Sequence, residues 1–263
     1  MNTIPNKSEL TEFDLQRYER QIRLQGFGKE AQRRLRSSSV FVSRVGGVGG
    51  TAAMNLVRAG IGKLVLAHPG HVEPEKLNRC QLLFPADVGR SFVDVSAARL
   101  KSINPDVEIV TVRDSVNEAN VAGLVTQADL IVDGAPLFEE RYLMNREAVA
   151  QRKPLCMGAV FGMEGYVTAI VPGESPCLAC IYTEKPDYWT NINVFPVIGP
   201  VAVIVGATVA MEAIKLLTGF GTPLKNVLWF FDLETNHLRR FRVNRKSDCP
   251  VCGGRAGHQH KGD

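Results

Sequence analysis

In the first half of the chain, short β-branched apolar runs alternate with stretches whose apolar positions recur at helical spacing. That alternation predicts a parallel sheet with crossover helices. Ser39–Ser43 (SVFVS) reads as a buried strand, followed by a glycine-rich turn and a helix through Ala59. Leu64–Ala67, Val107–Val112 and Leu130–Asp133 read as further strands, with helices over Gly89–Ser102 and Asn117–Thr126 between them. A helix over Phe138–Gln151 leads to a buried strand at Pro154–Val160. Beyond it the pattern changes. Tyr166–Val171 is a β-branched strand, and Val227–Leu233 with Leu238–Val243 reads as a hairpin turning at Glu234-Thr235-Asn236. The expected fold is therefore α/β, a Rossmann-like, mostly parallel sheet continuing into an antiparallel C-terminal half.

Composition adds little to this and excludes some functions. The 263 residues are 45% hydrophobic and 22% charged, ordinary for a globular protein. A formal charge of +4 is too small to argue for nucleic acid. Basic residues cluster at Arg33, Arg34 and Arg36 and again at Arg239, Arg240, Arg242, Arg245 and Lys246, read as solvated faces with an anionic partner as the alternative. The N-terminus lacks the apolar core of a signal peptide, so a cytoplasmic location is expected. The uncharged stretch Val194–Met211 carries Pro196 and Pro200 and runs into Glu212 and Lys215. It is read as a loop followed by a fully buried helix, and no membrane span is expected. The tail from Gly253, with His258 and His260, is expected to be disordered.

Four of the six cysteines form two C-x-x-C knuckles, Cys177/Cys180 and Cys249/Cys252. Each knuckle can place two thiolates on one metal, and together they complete a tetrahedral zinc site. About seventy residues separate the knuckles, so the metal would staple the C-terminal segment to the body. Four thiolates leave no open position for substrate, which makes the zinc structural. Disulfides are disfavoured in a chain that is not exported.

The turn Val45-Gly46-Gly47-Val48-Gly49-Gly50 follows a strand and opens a helix, the context in which backbone N–H groups cradle a phosphate. Two positions depart from a conventional dinucleotide site. Arg44 stands where the first glycine is usual, and the second strand ends in His68 rather than an acid for the ribose hydroxyls. A close-packed turn without a ligand is the alternative.

Arg17-Tyr18-Glu19-Arg20-Gln21-Ile22, the glycine turn, Leu77-Asn78-Arg79, Val88-Gly89, Ile103-Asn104-Pro105, Gly165, the cysteine knuckles and Ala210-Met211-Glu212-Ala213-Ile214-Lys215 together resemble the ThiF/MoeB/HesA family of ubiquitin-activating-enzyme-like adenylating proteins. The resemblance covers roughly residues 14–252. It implies a helical arm over 1–36, an adenylation-type domain with its zinc segment over 37–252, and a tail over 253–263. It also implies a homodimer, or a heterodimer with a family paralogue, that adenylates a carboxylate with ATP and magnesium and releases pyrophosphate. The carboxylate would be a peptide or ubiquitin-like carrier-protein C-terminus, or a small molecule.

Carried over by position, Arg20 matches the arginine that reaches into the partner subunit's site, and Arg79 the arginine on the nucleotide phosphates. Gly46, Gly47, Gly49, Asn78 and Lys76 fall among the nucleotide-binding positions. His68 replaces the ribose aspartate, Lys76 an asparagine, Phe92 a phosphate-binding lysine, Pro136 a magnesium aspartate, and Ile192 the loop cysteine of some members. Lys76 or Arg90 could stand in for the lost lysine, Arg44 could contact phosphate, and Glu75 or Asp133 could serve the metal. Cys80, beside Arg79, could be a lowered-pKa thiol, although an inert packed cysteine is expected of both Cys80 and Cys156. Three functions remain open: a divergent adenylating enzyme, a catalytically deficient heterodimer partner that donates Arg20, and a pocket of Arg44, His68 and Lys76 that takes another anion.

Overall fold

The computed structural model describes residues 9–183 and 196–253. Three short helices open it: α1 (Glu12–Arg17), α2 (Glu19–Ile22) and α3 (Gly28–Ser37). Thr11 and Asp14 close a capping box on α1. Buried Asp14 also accepts Arg36 at 2.7 Å, while Arg17 donates to the Ile103 carbonyl at 2.6 Å. Asp14 thus ties α1 to α3 while capping its own helix, and Arg17 ties α1 to the body.

The body then runs β1 (Ser39–Ser43), α4 (Gly47–Ala59), β2 (Lys63–Ala67), 3-10 turns at Pro74–Lys76 and Pro85–Asp87, α5 (Phe92–Ile103), β3 (Glu108–Val112), α6 (Val121–Thr126), β4 (Leu130–Asp133) and α7 (Phe138–Ala150). It continues with β5 (Leu155–Phe161), β6 (Glu164–Ile170), α8 (Leu178–Ile181), α9 (Gly199–Thr218), β7 (Val227–Asp232) and β8 (His237–Arg242). One eight-stranded sheet has the order β3-β2-β1-β4-β5-β6-β7-β8, parallel through β5 and antiparallel beyond. The expected α/β architecture with its antiparallel continuation is the one observed.

Alternation along the strands explains the layers, because successive side chains of a strand face opposite ways. Val40 and Val42 join the core cluster that includes α4 and α9, whereas Phe41 joins the opposite cluster with Met144 and Ala148 of α7. Covered on both faces, the parallel strands read as continuous apolar runs.

Several boundaries differ from the sequence reading for local reasons. Helix α5 starts at Phe92 rather than Gly89, because Gly89 has φ +83° and segment 70–72 pairs with 89–92. Helix α6 starts at Val121, since Asn117 and Asn120 use their side chains to turn the preceding backbone. Helix α9 continues past Met211 to Thr218. Its buried Glu212 is satisfied by Lys215 Nζ and the Leu224 amide, each at 2.6 Å, so the charges do not end the helix. By length and composition α9 could cross a membrane; half of its most apolar window is buried inside the fold, and with Ile204 and Met211 exposed the helix is not fully buried as expected. Ile192 and the tail histidines His258 and His260 lie outside the described residues.

Candidate active site

The strand order reverses between β1 and β4, and ligands of open α/β sheets bind beyond the strand ends at such a switch point. A cleft of about 320 Å³ lies there. Gly46 caps α4, and a Cβ placed on it would meet nothing within 4 Å, so open space adjoins the backbone at this helix start. Gly47 also lines the cleft, where a Cβ would come within 3.0 Å of Ala202. Gly49 serves a different purpose: a Cβ there would collide with the Arg44 carbonyl, and the backbone of Gly134 packs against it. It lets two loops cross and is not among the cleft-lining residues.

Arg44 enters the turn with φ +57°, a left-handed conformation that costs a non-glycine residue about 1–2 kcal/mol. Its Nε donates to both oxygens of buried Glu140, at 2.9 and 3.1 Å, and its Nη2 donates to Ser115 at 3.1 Å. The next residue of α7, Arg141, donates to Asp133 at 2.9 Å and to the Gly158 carbonyl at 3.0 Å. Asp133 is fully buried, and burial pushes its carboxyl up against the pull of Arg141. Two adjacent ion pairs therefore fasten the first turn of α7 to the ends of β1 and β4. Sequence reasoning missed Glu140 and Arg141. The signal available was their place on the inward stripe of α7 with Met144, Asn145 and Ala148.

On the opposite rim, Lys76 Nζ lies 2.7 Å from Glu75. Arg79 donates to the Glu75 carbonyl at 2.6 Å and to Asn78 Oδ1 at 3.0 Å. Lys76 and Arg79 line the cleft, whereas Asn78 steadies Arg79 from behind it. Arg90 is paired with Asp87 and does not line the cleft, which leaves Lys76 as the cation present where the sequence lost one at Phe92. Arg20 is exposed on α2, has no ion pair among the described residues, and does not line its own chain's cleft.

His68 stacks flat on Phe92, with centroids 3.7 Å apart and planes 7° from parallel. Burial first, then the charges of Arg44 and Lys76, hold its imidazole down at about 3. A basic pocket of Arg44, His68 and Lys76 is thus not what forms: Arg44 is neutralised by Glu140, and His68 is uncharged. Cys80 lines the cleft, but burial outweighs Arg79 and pushes its thiol up to about 11. Burial and Glu212 raise Cys156 as well. Both thiols are buried. A second cavity of about 480 Å³ shares Arg141, Ala159 and Val160 with the cleft and is walled by Phe138, Tyr166 and Tyr182.

The four knuckle sulfurs converge to within 4.8 Å of one another, all buried. Cys177 and Cys249 Sγ are 3.6 Å apart, and Cys180 and Cys252 Sγ 3.4 Å. Those separations are far too long for disulfides. They approach the roughly 3.8 Å edge of a tetrahedron with 2.3 Å metal–sulfur bonds. Burial raises Cys177 and Cys180. In Cys249 the backbone N–H groups of Cys252 and Val251 overcome burial and bring the thiol down to about 6. The donor set fits a structural zinc.

The model of the ThiF family matches residues 18–251. The chain is 44% identical over 247 residues to the heterocyst HesA protein of Trichormus variabilis, covering 94% of this chain and 92% of that one. It is 34% identical to the sulfur carrier protein ThiS adenylyltransferase of Escherichia coli, covering 92% and 96% of the two chains. Among solved structures, E. coli MccB with ATP superposes at a TM-score of 0.80 with 22% identity, covering 95% of this chain and 76% of that one, a likeness of fold. The chain belongs to the ThiF family.

Proposed function

We propose that the chain activates a carboxylate by adenylation. The observation that carries this reading is the switch-point cleft, where the open backbone at Gly46, Lys76 and Arg79 converge on one volume. In the reaction, a carboxylate oxygen attacks the α-phosphorus of ATP. The new acyl–phosphate bond forms as the bond to pyrophosphate breaks, and pyrophosphate leaves with that electron pair. Charge builds on phosphate oxygens throughout, so fixed cations and helix-start N–H groups are the catalysts this step needs. Lys76 and Arg79 supply them from one chain, and Arg20 of a second copy or of a paralogue supplies a third. The adjoining aromatic cavity leaves room for the carboxylate-bearing substrate, a peptide, a carrier-protein C-terminus or a small acid. Similarity to a ThiS adenylyltransferase over nearly all of both chains supports the reading.

Magnesium held by protein carboxylates does not fit this cleft. Position 136 is proline, Asp133 is buried on Arg141, Glu140 is committed to Arg44, and Glu75 faces Lys76. The structural zinc ties the C-terminal segment down and takes no part in the chemistry.

ATP–pyrophosphate exchange in the presence of candidate peptides and carrier proteins tests the proposal. Exchange that depends on the carboxylate is the expected result, and absence of ATP binding at millimolar concentration would sink it. A second reading draws on the committed carboxylates and on exposed Arg20, which has no ion pair among the described residues: the chain serves as the non-catalytic half of a heterodimer. Affinity purification from the native source would then recover a family paralogue, and recovery of a homodimer alone would count against it.

A further inference from the structure

In dinucleotide-binding sheets, an acid at the end of the second strand accepts hydrogen bonds from the ribose hydroxyls. Here His68 holds that place. Its amide donates to the Val112 carbonyl at 3.1 Å, so it extends β2 by one residue toward the cleft it lines. The ring is immobilised from behind. Phe92, 1% exposed at the start of α5, lies flat against it. Phe92 is itself fixed, because its amide donates to the Gly70 carbonyl at 3.1 Å and Val72 exchanges backbone hydrogen bonds with the 89–90 segment at 2.9 Å. His68 Nδ1 is buried and has no hydrogen-bond partner. It shows no surface to the cleft, so it faces the protein side of the ring and is not offered to a ligand. The imidazole is also uncharged at neutral pH. The strand end thus offers a rigid, neutral aromatic wall, where a carboxylate would offer two charged acceptors.

These two surfaces would treat a sugar differently. A carboxylate gains charge-assisted hydrogen bonds from both hydroxyls, and losing either one costs on the order of 10- to 100-fold in affinity. A neutral ring gains at most one ordinary hydrogen bond and binds the rest of the sugar by contact. At the phosphate end Arg79, held by the Glu75 carbonyl and Asn78 Oδ1, keeps its charge, and Lys76 stands beside it paired with Glu73 and Glu75.

We infer that His68, backed by Phe92, is the specificity-determining residue at the sugar end of the cleft, and that it makes nucleotide recognition nearly indifferent to the ribose diol. The inference rests on the proposal that the cleft takes a nucleoside triphosphate.

Calorimetry on the full chain with ATP, 2′-deoxy-ATP and 3′-deoxy-ATP tests it. Dissociation constants for the three within about 3-fold of one another are expected. His68→Asp should then prefer ATP over both deoxy forms by about 10-fold or more, by restoring a charged acceptor. His68→Asn, which is uncharged, should keep the wild-type indifference and serves as the second variant should the buried aspartate unfold the chain; thermal melts report which variants are folded. A loss of 10-fold or more for either deoxy nucleotide on the wild-type chain overturns the inference while leaving the nucleotide proposal intact. Failure of all three to bind overturns both.

Discussion

Arg44 shows how much one residue can change in a glycine-rich turn. It accepts a left-handed backbone and offsets the cost by pairing with Glu140, with side-chain exposures of 17% and 6%. Removing one partner of such a pair strands the other charge, so Glu140→Ala should destabilise the fold by about 3–5 kcal/mol in urea unfolding. Arg44→Gly should cost about 1 kcal/mol less than Arg44→Ala, since glycine relieves the strained φ. His68 gives a prediction in pH. Its folded value, about 3, lies below the unfolded value of about 6.5. Between those values the unfolded chain binds more protons, so stability falls as pH drops from 6.5 toward 3. His68→Asn should flatten that part of the unfolding profile. At this scale the sequence was half legible. Lys76 and Arg79 stand in a recognisable motif, but the partners of Arg44 and Asp133 are marked only by their place on the inward stripe of α7, which does not say which charges they meet.

At the scale of elements, strands were easier to read than helix ends. Val40, Val42, Leu64 and Leu66 are apolar because both faces of the parallel sheet are covered, and that demand is written plainly into composition. The start of α5 was hidden, because it depends on segment 70–72 pairing with 89–92, a contact between pieces distant in sequence. The burial of Glu212 in α9 was hidden for a related reason. Glu212 looks like a surface residue until Leu224 returns to satisfy it. The N-terminal arm carries its own acid-sensitive pin. Burial raises Asp14, but bonds from Thr11 and the charge of Arg36 outweigh burial and lower it overall. Its stabilising contribution is therefore present above the unfolded value near 3.9 and is lost as pH falls through the lower folded value. Limited proteolysis below about pH 4 should therefore cut at α1, freed from α3, before the body unfolds, and Asp14→Asn should expose the same site at neutral pH.

At the scale of the whole molecule, the described cleft lacks one cation that the proposed chemistry would use, because Arg20 lies outside it. If a second copy supplies that group, mixing Arg20→Ala and Arg79→Ala chains under exchange conditions should restore about a quarter of the wild-type sites, since each mixed dimer rebuilds one site. No recovery would show that Arg20 acts within its own chain or not at all. The metal gives an independent check. About one zinc per chain is expected by elemental analysis. Cys249→Ser should lose it, with a lower melting temperature and early protease cleavage of the C-terminal segment.

The sulfur cluster also bears on how the chain is made. Its two halves stand 72 residues apart, and α9, β7 and β8 all lie between them. During synthesis on a ribosome, any ion that needs four thiolates must wait until Cys252 has emerged. By then the parallel half of the sheet has long been available to fold. Closure of the metal site is thus a late event that reports the arrival of the C-terminal strands, and a chain truncated before Cys249 would keep its cleft-forming segments but never lock.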